Sequence, residues 1–62
     1  MKKEYTMLVG SRIPDEDKDG SARTAVGLFS PDGGEVMVTM ADEEAEHFPL
    51  DREVRVTLEV DE

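Results

Sequence analysis

From Glu53 onward the chain alternates, with Val54, Val56, Leu58 and Val60 apolar and Glu53, Arg55, Thr57 and Glu59 polar. A period of two places the four aliphatic side chains on one face of a strand. Glu4 to Ile13 follows the same rule, with Tyr5, Met7, Val9 and Ile13 toward a core and Thr6, Leu8 and Arg12 away from it. The pattern then stops. Pro14 to Ser21 is a run of proline, acids and glycine that predicts a long loop. Beyond it, Ala22–Phe29 and Glu35–Met40 flank Ser30-Pro31-Asp32-Gly33-Gly34, where proline suits an early turn position and the glycines accept positive φ. This predicts a hairpin whose inner side is Val26 and Leu28 against Val36, Val38 and Met40.

The period changes between Ala41 and Phe48. Ala41, Ala45 and Phe48 fall at i, i+4 and i+7, with Asp42, Glu43, Glu44 and Glu46 between them, which predicts two helical turns. Thr39 and Asp42 have the spacing of a capping-box-like pair. Pro49 stops the helix, and Leu50 is expected to re-enter the core. The order is β-β-β-α-β, an α+β but mostly β chain. It predicts a single antiparallel sheet of about four strands, half covered by one short helix, left open or curled into a small barrel in which the last strand pairs with the first. About sixteen side chains are available for its core. Leu8, Phe29 and Met37, with Ala25, have the opposite parity and predict an apolar patch on the back of the sheet, suited to a homodimer or another partner.

Length narrows the picture. With 62 residues there is room for one domain, 1–62, since chains of this size bury only about 60% of the surface their unfolded form exposes. No cysteine is present, so neither disulfides nor thiolate metal sites reinforce it, and oligomerisation becomes a natural source of extra stability. Lack of cysteine also fits a reducing cytoplasm. The apolar run Met7-Leu8-Val9 is too short for a signal sequence, and no stretch has the roughly 18 apolar residues of a membrane span.

Charge changes the picture most. Sixteen acidic residues oppose seven basic ones, a formal net charge of −9. The segments 14–20, 41–50 and 51–62 contribute −3, −4 and −3, whereas 1–13 carries +2. Such a field repels nucleic acid and anionic membranes and attracts basic surfaces. Direct nucleic-acid binding is further disfavoured because Tyr5, Phe29 and Phe48 are the only aromatics.

Asp15-Glu16-Asp17-Lys18-Asp19-Gly20 has the D-x-D-x-D-G opening of a calcium loop, in which Asp15, Asp17 and Asp19 would converge on one cation. Val26 stands where the bidentate glutamate belongs, so a solvated acidic loop is the simpler account, with weak calcium binding as the alternative. Asp42, Glu43 and Glu44 suit the first turn of a helix electrostatically, and Glu46 is a surplus acid. His47 suits the helix end. No nucleophile stands in a recognisable motif and no pair of carboxylates separates from the background, so an enzyme is not expected and no cofactor is implied.

Two function classes follow. In size and acidity the chain resembles the phage-encoded inhibitors of restriction or CRISPR machinery. That resemblance implies carboxylates (Asp15, Asp17, Asp19, Asp42, Glu43, Glu44 and Glu46) presented where a nucleic-acid enzyme meets phosphates, and a partner with a basic surface. The alternative is a structural, adaptor or homo-oligomerising domain whose acids serve solubility or high-salt adaptation, with Leu8, Phe29 and Met37 at its interface. The segment Val36 to Val60 resembles part of the swapped-hairpin transcription factors of the AbrB/MazE type, without their basic DNA-contact stretch.

Overall fold

The computed structural model describes residues 1–61. It contains β1 (Lys2–Glu16), β2 (Ala22–Phe29), β3 (Glu35–Ala41), the one-turn helix α1 (Asp42–Ala45) and β4 (Glu53–Glu59). The strands form one antiparallel sheet in the order β3-β2-β1-β4. The last strand does pair with the first, from Lys2↔Glu59 to Leu8↔Glu53. The sheet curls into a half-barrel and stops there, because β3 and β4 are its two unjoined edges.

The long strand β1 serves two neighbours in turn. Residues up to Leu8 pair with β4, and Leu8 to Glu16 pair with β2. Between the two halves the register shifts, with Val9 opposite Leu28 and Ser11 opposite Gly27, so Gly10 is the extra residue of a β-bulge. A single extra residue exchanges the two faces of everything that follows it. Ile13, expected in the core, therefore pairs with Ala25 on the outer face and is 51% exposed. Arg12 moves to the inner face opposite Val26, and its Nη2 donates to the Ala45 carbonyl at 2.9 Å. The isolated glycine was the sequence signal for this.

The inner face holds the core: Met7, Val9, Val26, Leu28 and Ala45 are buried, with Val36, Met40, Phe48, Val54 and Val56 packed around them. This is fewer than the alternation alone predicts. Tyr5, Val38, Leu58 and Val60 share the inward parity but lie toward the open side of the half-barrel and are largely exposed. Leu50 is also exposed rather than buried. Asp51 takes a left-handed conformation (φ 67°) while its amide bonds to the Val9 carbonyl at 2.8 Å, so the segment joins the sheet through its backbone.

The helix is shorter than its pattern. One α turn ends at Ala45, and tighter i+3 bonds, His47 N–H to Glu44 O at 3.1 Å and Phe48 N–H to Ala45 O at 3.0 Å, carry the chain on until Phe48 reaches the core. The helix therefore stops before Pro49 is needed. Ala41 occupies the N-cap position without a side-chain cap, and Asp42 accepts from the Thr24 hydroxyl at 2.9 Å instead of pairing with Thr39. The β2–β3 turn forms as expected, with Gly33 at φ 94° and the Ser30 hydroxyl donating to the Asp32 carboxylate. No helix among the described residues is long and apolar enough to cross a membrane.

Candidate functional site

Two acidic segments far apart in sequence meet at one end of the molecule. The β1–β2 hairpin brings the loop 17–21 to that end, and the β2–β3 register, with Arg23 opposite Ala41, delivers α1 beside it. Asp17, Asp42, Glu43 and Glu46 line a common shallow groove together with Ser21, Ala22 and Arg23. Eight of the sixteen carboxylates lie in residues 14–24 and 42–46, against Lys18 and Arg23. Those two stretches alone sum to −6 of the net −9.

The side chains differ in how firmly they are held. Asp42 is fixed by Thr24, and Arg23 lies 3.7 Å from Asp17, a loose and solvated contact. The Asp19 carboxylate accepts from the Ser21 amide at 2.9 Å, and hydrogen bonding from Ser21 holds its pKa below the ordinary 3.8. Glu43 and Glu46 are exposed. Of the seven acids expected to form a partner surface, Asp17, Asp42, Glu43 and Glu46 come together. Asp15 borders the far side of the hairpin with Pro14 and Glu16, and neither Asp19 nor Glu44 lines the shared groove.

The calcium-loop pattern does not translate into a coordination sphere. Asp15, Asp17 and Asp19 each accept a bond from a nearby backbone amide, of Glu16, Lys18 and Ser21 respectively. Among the described residues no three carboxylates or histidines gather into a group that could hold a metal ion. His47 is exposed just beyond the helix.

A second surface lies on the outer face of β1, β2 and β3. Leu8 (48% exposed), Phe29 (39%) and Met37 (50%) stand there as expected, and Ile13 joins them because of the bulge. Phe29 lies over two residues that lack side chains: a Cβ on Gly10 would run into its ring, and one on Gly27 would touch it. This packing against bare backbone leaves the aromatic ring close to the sheet. Ile13 was missed by strict alternation, although Gly10 marked the place where alternation fails.

No protein-family model, curated protein or solved structure matches the chain.

Proposed function

We propose that this is an acidic protein-interaction module that uses its loop and helix end to occupy a basic surface on a partner protein. In its sharpest form it is an inhibitor that imitates nucleic-acid charge and blocks a nucleic-acid-binding enzyme, of the kind phage encode against restriction or CRISPR systems. It acts by binding, in the cytoplasm, without cofactor or chemistry of its own. The observation that carries this reading is the convergence of Asp17, Asp42, Glu43 and Glu46 on one groove from segments separated by two strands. Duplex DNA presents about one negative charge per 1.7 Å of axis, and a cluster of carboxylates at one end of a small scaffold offers a comparable local field. Such complementarity accelerates encounter and selects partners more than it adds affinity.

The test is capture on the immobilised chain with elution by rising salt, followed by competition between the chain and duplex DNA for the captured protein. The informative variant is Asp17→Asn with Glu43→Gln and Glu46→Gln. Asp42 is left intact because it anchors Thr24. Binding is expected to weaken by at least about tenfold and to lose part of its salt dependence. Undiminished inhibition by the triple variant would refute the proposal. It would favour the competing class, an adaptor or self-associating domain acting through Leu8, Phe29 and Met37 with its acids serving solubility.

A further inference from the structure

The chain exposes more surface than a molecule of its mass should. A folded monomer of 6.9 kDa is expected to present about 4,000 Å², whereas this one presents 4847 Å². Its radius of gyration is 12.8 Å, against about 10.6 Å for a compact chain of this length. The slab is 36 × 31 × 18 Å. The surplus of about 850 Å² is close to the share of roughly 800 Å² that each partner contributes to a standard interface. Among the described residues only five hydrophobic side chains are buried and no metal site is offered, and the cysteine-free chain has no disulfide to support them.

The distribution of charge shows where such an interface fits. Between the rung of Asp15 and Arg23 and the rung of Leu8, Phe29 and Glu35, the outer face of β1, β2 and β3 carries no charged residue. Leu8, Ile13, Ala25, Phe29 and Met37 give it its apolar character. Around it lie Asp15, Arg23, Glu35 and, beyond Leu8, Glu53, which is the apolar centre and polar rim of a protein interface. The strand at its border is equally bare, for β3 runs from Val36 to Ala41 without a charge, a proline or a bulge, although it is a sheet edge. The inner groove is less suitable, being lined in part by Asp32 and Glu35 with Lys3 stationed over the Tyr5 ring.

We infer that the occupant of this outer face is a second copy of the same chain, forming a two-fold dimer across the Ile13–Ala25–Met37 patch. A basic partner would be drawn to the acidic end, not to a face without charge. Two copies, each at −9, approach best where neither presents a carboxylate, and this face allows that. The need for extra burial is also permanent, and a second copy is supplied with every chain synthesised. A two-fold axis uses the same patch on both sides, so one apolar surface suffices. This inference is independent of the role assigned to the acidic end, and its salt response has the opposite sign. Screening of mutual repulsion strengthens the dimer, whereas it weakens a contact between acid and base.

The decisive measurement is light scattering of the full chain across a dilution series, at about 50 mM and about 500 mM NaCl. A dimer of twice 6.9 kDa is expected, with tighter association at the higher salt. Met37→Lys should raise the dissociation constant at least about tenfold. Because a charge there can also disturb folding, the cysteine-free chain provides a second route. The Met37→Cys variant should cross-link through a short bismaleimide, while the Thr57→Cys variant, altered on the charged β1–β4 half of the same face, should not. A monomer at every concentration and salt overturns the inference. So does a dimer in which the Thr57→Cys variant cross-links and the Met37→Cys variant does not.

Discussion

The acidic end and the bare outer face were built by the same strand, yet they answer to different physics. At the end of the β1–β2 hairpin and in α1, side chains are charged, exposed and mostly held by single hydrogen bonds or by none. On the outer face, a few steps along the same ladders, charge is excluded and the side chains lie over one another or over glycine. In the roles proposed for them, the first region would act through a long-range potential that salt weakens, and the second through area that salt leaves intact. A small protein can keep two interaction modes apart in this way even though no residue on it is far from any other.

The Gly10 bulge creates that division, so removing it is the most severe way to break it. Gly10→Val would do this, because a Cβ at that position runs into the Phe29 ring. A strand straightened with its residue count kept turns Ile13 inward onto the space Arg12 occupies and sends Arg12 out to the patch. The exchange crowds the core beside Val26 and withdraws the donor from the Ala45 carbonyl. The expected loss is roughly the whole 3–5 kcal/mol that a core of this size supplies, read as a collapse of the urea midpoint. A Gly10→Val variant with wild-type stability would mean that the bulge does not set the faces.

Substituting Arg12 tests one consequence of the bulge alone. The guanidinium bond to Ala45 ties α1 to β1 and completes a carbonyl at the end of a one-turn helix that lacks a side-chain N-cap. Arg12→Ala should cost about 1–2 kcal/mol. The change should be concentrated in hydrogen exchange of Phe48 and its neighbours, whose packing depends on where the helix sits. Ile13→Thr, at the adjoining position on the other face, should leave that exchange pattern unchanged.

What the chain disclosed in advance depended on how local each rule was. The hairpin at Ser30–Gly34, the β4 alternation and the β-β-β-α-β order were legible because a turn, a period of two and a change of period each depend on neighbouring residues. The apolar trio Leu8, Phe29 and Met37 was legible for the same reason. Ile13 and Arg12 were not, since one inserted residue reverses a parity count without altering the composition. The exposure of Leu58 and Val60 was hidden too, because alternation reports which face a side chain takes and not whether anything covers that face. The meeting of Asp17 with Asp42, Glu43 and Glu46 required the β2–β3 register, which no local motif specifies.

Neutralising the acidic end sharpens the contrast more gently. The Asp17→Asn, Glu43→Gln, Glu46→Gln variant should melt about 2–5 °C higher at low ionic strength, where like charges repel most, and the gain should shrink as salt is added. Ile13→Thr should leave the salt response of the melting temperature as it is in the parent chain. If both variants changed the salt response equally, the two regions would not be electrostatically distinct.

The smallest effect lies in the β2–β3 turn, away from both regions, and calibrates how far single hydrogen bonds set carboxylate behaviour on this scaffold. Asp32 and Asp19 both have pKa values below the ordinary 3.8, the first chiefly through the Ser30 hydroxyl and the second through Ser21. A carboxylate whose folded value is depressed stabilises the fold above its unfolded pKa and loses that contribution as pH falls through the folded value. Ser30→Ala should therefore raise the Asp32 midpoint toward 3.8 in a carboxyl-detected NMR titration while leaving Asp19 where it is. The difference in stability between parent and variant, visible above pH 3.8, should narrow below it as Asp32 takes up its proton in both. An unchanged Asp32 midpoint would transfer its depression to the Gly34 amide, to the backbone amide of Asp32 itself and to the nearby Lys3 charge, which are the remaining groups that favour the ionised form.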